Sequence, residues 1–106
     1  MSVHRGDNER GFWNSFAPKY DSFMKRAGPA YERIVQLIEN EVDPADYVLE
    51  AACGTGLISM KIAPYVDRYF GCDISPEMIE IARSKTLASG ISNIEFSVQD
   101  AYNLNF

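Results

Sequence analysis

Five residues stand where an apolar run gives way to turn-forming residues: Glu50, Gly54, Gly56, Asp73 and Asp100. Gly54 and Gly56 lack side chains, so the backbone there can turn sharply and come close to a ligand. The helix that should follow them offers free N–H groups and a positive dipole end, which suit an anionic group. A glycine pair of this kind also serves as a plain turn. Asp73 follows Gly56 by seventeen residues, at the end of the next apolar run. A carboxylate in that place can accept hydrogen bonds from both hydroxyls of a ribose, or it can cap a helix. Glu50 is set inside an apolar run, where a charge is costly unless it is paired or used. An acidic residue there suits a cofactor that carries positive charge. Together these residues describe a pocket for a nucleoside-containing cofactor over residues 47–73.

The elements that must hold them in place follow from pattern. Phe12, Phe16, Tyr20 and Phe23 recur at helical spacing with Trp13 beside them, and Pro18 should divide that helix. Gly28-Pro29 opens a second helix whose stripe is Tyr31, Ile34, Val35 and Ile38, ending near Glu41. Asp43-Pro44-Ala45-Asp46 is a turn. Residues 47–52 then read as a buried strand, 57–63 as a short helix stopped by Pro64, and 68–73 as a second strand. Ser75-Pro76-Glu77 is a helix start, with Ser75 as N-cap, and Gly90 closes that helix. Ile94, Phe96 and Val98 alternate with polar residues, so a third strand runs toward Asp100. Strands alternating with helices argue for a parallel sheet, with ligands held outside the strands' carboxyl ends.

Composition limits the rest. The chain has 106 residues, 46% hydrophobic and 24% charged, which fits one small globular domain. Fifteen acidic against ten basic residues give a formal charge of −5, so no nucleic-acid partner is expected. No apolar run is long enough to span a bilayer and no signal peptide opens the chain, which points to a soluble, cytoplasmic setting. Cys53 and Cys72 read as two small buried residues, and no metal site is expected.

The motif Val48-Leu49-Glu50-Ala51-Ala52-Cys53-Gly54-Thr55-Gly56 resembles the first motif of class I S-adenosylmethionine (SAM)-dependent methyltransferases. Gly71-Cys72-Asp73-Ile74-Ser75-Pro76-Glu77-Met78 resembles the family's second-strand motif, and Gln99-Asp100-Ala101 its third. The aromatic Phe12–Asp21 segment is similar to the N-terminal extension of small-molecule methyltransferases of the ubiquinone and menaquinone type. The resemblance implies a Rossmann-like α/β fold, a parallel sheet with helices on both faces. This chain would supply the first three of seven strands, ordered 3-2-1-4-5-7-6 in the family, after N-terminal helices. It divides the chain into a flexible stretch 1–10, a helical extension 11–42 and a partial SAM-binding domain 43–106.

The resemblance also implies roles. Glu50 would hold the amino group of SAM, directly or through water. Backbone at Ala52 and Gly54 would line the methionine portion. Asp73 would take the ribose hydroxyls, Ile74 would pack on the adenine, and Asp100 and the Ala101 N–H would meet its polar edge. Tyr20 would lie over the cofactor as part of a lid. Ala52 replaces the motif's first glycine, which is harmless at negative φ and costs roughly 1 kcal/mol at positive φ.

The function implied is transfer of a methyl group to a small molecule, by the cofactor-binding half of such an enzyme. Two alternatives remain. One is a non-catalytic cofactor-binding or assembly module lacking the acceptor half. The other is an NAD-dependent dehydrogenase fragment, against which Glu50 and Asp100 speak. An uncovered first strand would expose unpaired backbone groups, so a truncated domain or a homodimer through the sheet edge is expected.

Overall fold

The computed structural model describes residues 5–100 and 103–104, with side chains from Arg10 onward. Helix α1 (Arg5–Phe16) comes first, and a 3-10 turn at Ala17–Lys19 carrying Pro18 separates it from α2 (Tyr20–Arg26). The break falls where Pro18 removes an N–H donor, as its position requires. Residues 5–10 belong to this first helix. Helix α3 (Gly28–Glu41) has Pro29 in its first turn. Strand β1 (Tyr47–Ala51), helix α4 (Leu57–Ile62), strand β2 (Arg68–Asp73), helix α5 (Pro76–Ser89) and strand β3 (Ile94–Val98) complete the order. Ser75 caps α5 by accepting the Met78 N–H at 3.2 Å, and Gly90 ends it in the left-handed region at φ 71°.

The three strands form one parallel sheet in the order β1-β2-β3. The register pairs Val48 with Tyr69 and Tyr69 with Ile94, and likewise Glu50 with Gly71 and Gly71 with Phe96. Side chains alternate along a strand, so these residues share one face. Helices α3, α4 and α5 pack there. Val35, Ile62, Ala63, Val66 and Tyr69 form one buried cluster, and Cys53, Ile79, Ala82 and Phe96 form the other, with Ile94 touching both. Among the described residues, α3, α4 and α5 all contribute to the core on this face. On the other face, Tyr47 is 69% exposed and Leu49 50% exposed. Strand β1 pairs only with β2 among the described residues. No helix among them is long and apolar enough to cross a membrane.

Gly71 sets the spacing of the central strand. A Cβ there would stand 2.8 Å from two ring carbons of Phe96 and 3.2 Å from Cys53 Sγ. Phe96 is 5% exposed and closed in by core, so it cannot yield. Gly71→Ala is expected to cost about 2 kcal/mol through overpacking. Urea denaturation would show it as a lower midpoint, and an unchanged midpoint would mean that the ring has room to move.

Candidate functional site

Loops at the strands' carboxyl ends are joined to one another through backbone groups. The Cys53 N–H donates to Cys72 O at 2.8 Å, and the Gln99 N–H donates to Asp73 O at 2.9 Å. The Asp73 carboxylate adds two links. Its Oδ2 accepts the Gly54 N–H at 2.9 Å and its Oδ1 accepts the Ser75 N–H at 3.0 Å. Asp73 thus fastens the glycine loop and the turn into α5 to the end of β2. It is 8% exposed, and its remaining surface faces a cleft. A carboxylate has about four acceptor sites, so two remain for a ligand.

That cleft gathers most of the expected residues. Ala52, Gly54, Asp73, Ile74 and Asp100 line it, and Tyr20 joins them from α2. Ala101 lies outside the described residues. Four further residues line it to which the motifs gave no binding role: Trp13, Cys72, Met78 and Gln99. Trp13 precedes Tyr20 by seven residues, which is two helical turns and could have marked a shared face. Its ring lies 6.5 Å from that of Tyr20, edge to face. Met78 sits one turn into α5, behind the Ser75 cap.

Helix α1 is fastened over this end of the sheet. Arg10 Nε donates to Ile74 O at 3.1 Å, and Ser75 Oγ donates to Asn14 Oδ1. Tyr20 rests directly on the glycine loop: a Cβ at Gly54 would lie 2.8 Å from Tyr20 Cζ. Gly54 has φ 58°, so its lack of a side chain answers both the turn and the close approach.

Glu50 is not among the residues lining the cleft. Its Oε1 accepts hydrogen bonds from Ser59 Oγ and Tyr69 Oη, both at 2.7 Å, beneath the loop. Burial raises its pKa above the ordinary value, the two hydroxyls pull it back down, and the nearby Asp73 raises it again. Its charge still reaches the cleft. Burial raises the Tyr20 phenol, and the Asp73 and Glu50 charges push it further in the same direction. The cleft therefore sits in a negative field. Both cysteines are free and buried, and burial pushes both thiols up from their ordinary value.

Ala52 has φ 56°, the one positive value among the described non-glycine residues. The unfavourable branch of the sequence expectation applies: a methyl group sits where glycine would be unstrained. Ala52→Gly is expected to stabilise the fold by about 1 kcal/mol. A higher urea midpoint would check this; a lower one would show that the Ala52 methyl makes contacts worth more than its strain.

With this geometry in view, comparison with known proteins is informative. Residues 48–106, more than half of the chain, match the methyltransferase-domain family. The mouse tRNA (uracil-5-)-methyltransferase homolog A is 34% identical over 85 residues, 78% of this chain and 14% of that protein. The YcgJ protein of Bacillus subtilis superposes with a TM-score of 0.68 at 28% identity, over 71% of this chain and 33% of that one. DhpI, solved as a complex with SAH, superposes with a TM-score of 0.67 at 29% identity, over 93% of this chain and 47% of that one. This chain thus spans a small part of its curated relatives' length. Other relatives are also named RNA methyltransferases. These names overturn the expectation of no nucleic-acid partner. That expectation rested on the net charge of 106 residues, and in proteins so much longer an acceptor surface is not read from this stretch.

Proposed function

The chain belongs to the methyltransferase-domain family, and on that premise we propose that the cleft beneath Tyr20 holds S-adenosylmethionine as a methyl donor. The observation that carries the reading is Asp73: a nearly buried carboxylate at a strand end that lines the cleft, with two of its acceptor sites committed to backbone. Its remaining acceptor sites would take the two ribose hydroxyls. Ile74 and Met78 would pack on the adenine, and Asp100 would accept from its amino group. Gly54 offers bare backbone to the methionine portion. The negative field of Glu50 and Asp73 suits the positive charge of sulfonium and ammonium.

When bound, SAM supplies a methyl group already activated by the sulfonium, so no general base need be assigned within this stretch. The work of these residues is to hold the donor and keep it oriented toward the open side of the cleft. Two buried free cysteines are in keeping with a reducing, cytoplasmic setting.

The relatives bring RNA forward as the acceptor class. A small-molecule acceptor is the second reading. It is favoured by DhpI, whose match runs through the N-terminal helices over 93% of this chain and whose SAM complex also holds HEP.

Calorimetry with SAM, SAH and NAD tests the donor reading. SAM and SAH should bind and NAD should not; binding of NAD alone would overturn it. Transfer of labelled methyl groups to tRNA or to a small-molecule panel then separates the acceptor classes.

A further inference from the structure

Tyr20 and the glycine loop touch, and the cleft between them measures about 160 Å³. Small-molecule sites generally run to roughly 300–1,000 Å³. For the donor's methionine portion to lie along Gly54, Tyr20 has to move out. What holds Tyr20 in place is therefore what controls entry.

The next residue supplies the hold. The Thr55 hydroxyl donates to Asp21 Oδ1, and Lys85 Nζ donates to Asp21 Oδ2 at 2.8 Å and to Thr55 Oγ1 at 3.2 Å. Thr55 is the residue between Gly54 and Gly56 and is fully buried. Lys85 lies on α5. Three elements thus meet at one carboxylate: α2, the glycine loop and α5. The ion pair itself is partly open to solvent, with side-chain exposures of 25% for Lys85 and 35% for Asp21. It is close enough to water for salt to weaken it.

We propose that Asp21 is a positioning residue for the donor site, whose carboxylate, shared by Thr55 and Lys85, latches α2 so that Tyr20 closes on Gly54. Opening of the latch admits the cofactor, and the closed latch keeps it out. This deepens the SAM reading and rests on it for the identity of the ligand.

Trp13 is the chain's single tryptophan and lies against Tyr20 in the same cleft, so its fluorescence reports opening without any cofactor. Acrylamide quenching of Trp13 should rise with salt in the wild-type chain. In Asp21→Asn and Lys85→Met it should already be high and insensitive to salt, while Lys85→Arg keeps the wild-type response. In stopped-flow binding, both latch-breaking variants should take up SAM about fivefold faster, the size expected of a partly exposed ion pair. Release should be little changed. A merely structural role would lower the urea midpoint without altering quenching in the folded chain or the salt response. Lys85→Met, at the outer end of the latch, covers the case in which Asp21→Asn fails to fold. Wild-type quenching and a wild-type rate of SAM association in both variants would overturn the latch and leave the donor reading intact. Increased Trp13 quenching in the variants, with no SAM binding by the wild type, would support the latch and overturn the donor reading.

Discussion

Replacing Asp73 with alanine should cost this fold about 3 kcal/mol, the sum of two buried N–H donors left without an acceptor. The donors are named: Gly54 N–H at 2.9 Å and Ser75 N–H at 3.0 Å, facing different oxygens of a side chain that is 8% exposed. Water cannot readily replace the carboxylate for both. A domain of this size has roughly 5–15 kcal/mol in total, so the loss is a large share of it. Asp73→Asn keeps the volume and one accepting oxygen, so it should cost about half as much. Both variants should bind SAM at least tenfold more weakly, because Asp73 both shapes the glycine loop and faces the ribose position. Urea denaturation gives the first quantity and calorimetry the second. An Asp73→Ala chain with a wild-type midpoint would show that the carboxylate is not the fastening of the two turns. An Asp73→Asn chain with wild-type affinity would remove Asp73 from the donor site.

Glu50→Gln should move stability and binding in opposite directions. Burial holds the folded-state pKa of Glu50 above its ordinary 4.5, against the pull of the Ser59 and Tyr69 hydroxyls. A raised pKa means that the folded chain favours the protonated form. Its contribution is then fully present below about 4.5 and is lost as pH rises through the folded value. The wild-type chain should therefore lose stability from this group as pH rises above about 4.5. Glutamine keeps an acceptor for both hydroxyls and has no charge to bury, so that loss should vanish in the variant. Its urea midpoint at pH 7 should exceed that of the wild type. SAM affinity should fall about tenfold, equivalent to about 1.4 kcal/mol, as the cleft loses part of its negative field. The SAH affinity should fall less, because SAH lacks the sulfonium charge. Parallel pH profiles for the two chains would refute the burial argument. Equal losses for SAM and SAH would show that Glu50 acts on the amino group alone.

Much of the fold could be read from local chemistry. Pro18 divides the first helix because it has no N–H to give. Ser75, Pro76 and Gly90 bound α5 because capping and left-handed backbone have few residue solutions. The alternation of Ile94, Phe96 and Val98 marks β3 because a strand has a period of two. The site was legible to the same degree. Tyr20, Ala52, Gly54, Asp73, Ile74 and Asp100 do converge on one cleft, because parallel strands bring their carboxyl ends together. The motif implied a place for Glu50 near the methionine end of SAM, directly or through water; that two hydroxyls, nine and nineteen residues further along, donate to it could not be read from spacing.

The sequence by itself determined the order of the elements, the parallel sheet and the residues at its strand ends. These depend on caps, periods and turn residues, which act over a few positions. Tertiary structure alone decided the rest: that Ala52 is held at φ 56°, that Phe96 needs Gly71 bare, that one sheet face stays open, and that Asp21 meets Thr55 and Lys85. Each of these depends on groups brought together across the fold, where packing and burial fix what spacing along the chain does not. The five residues with which the reading began therefore keep their positions but divide their work. Asp73 and Gly54 form the wall of the cleft, and Glu50 acts on it from below.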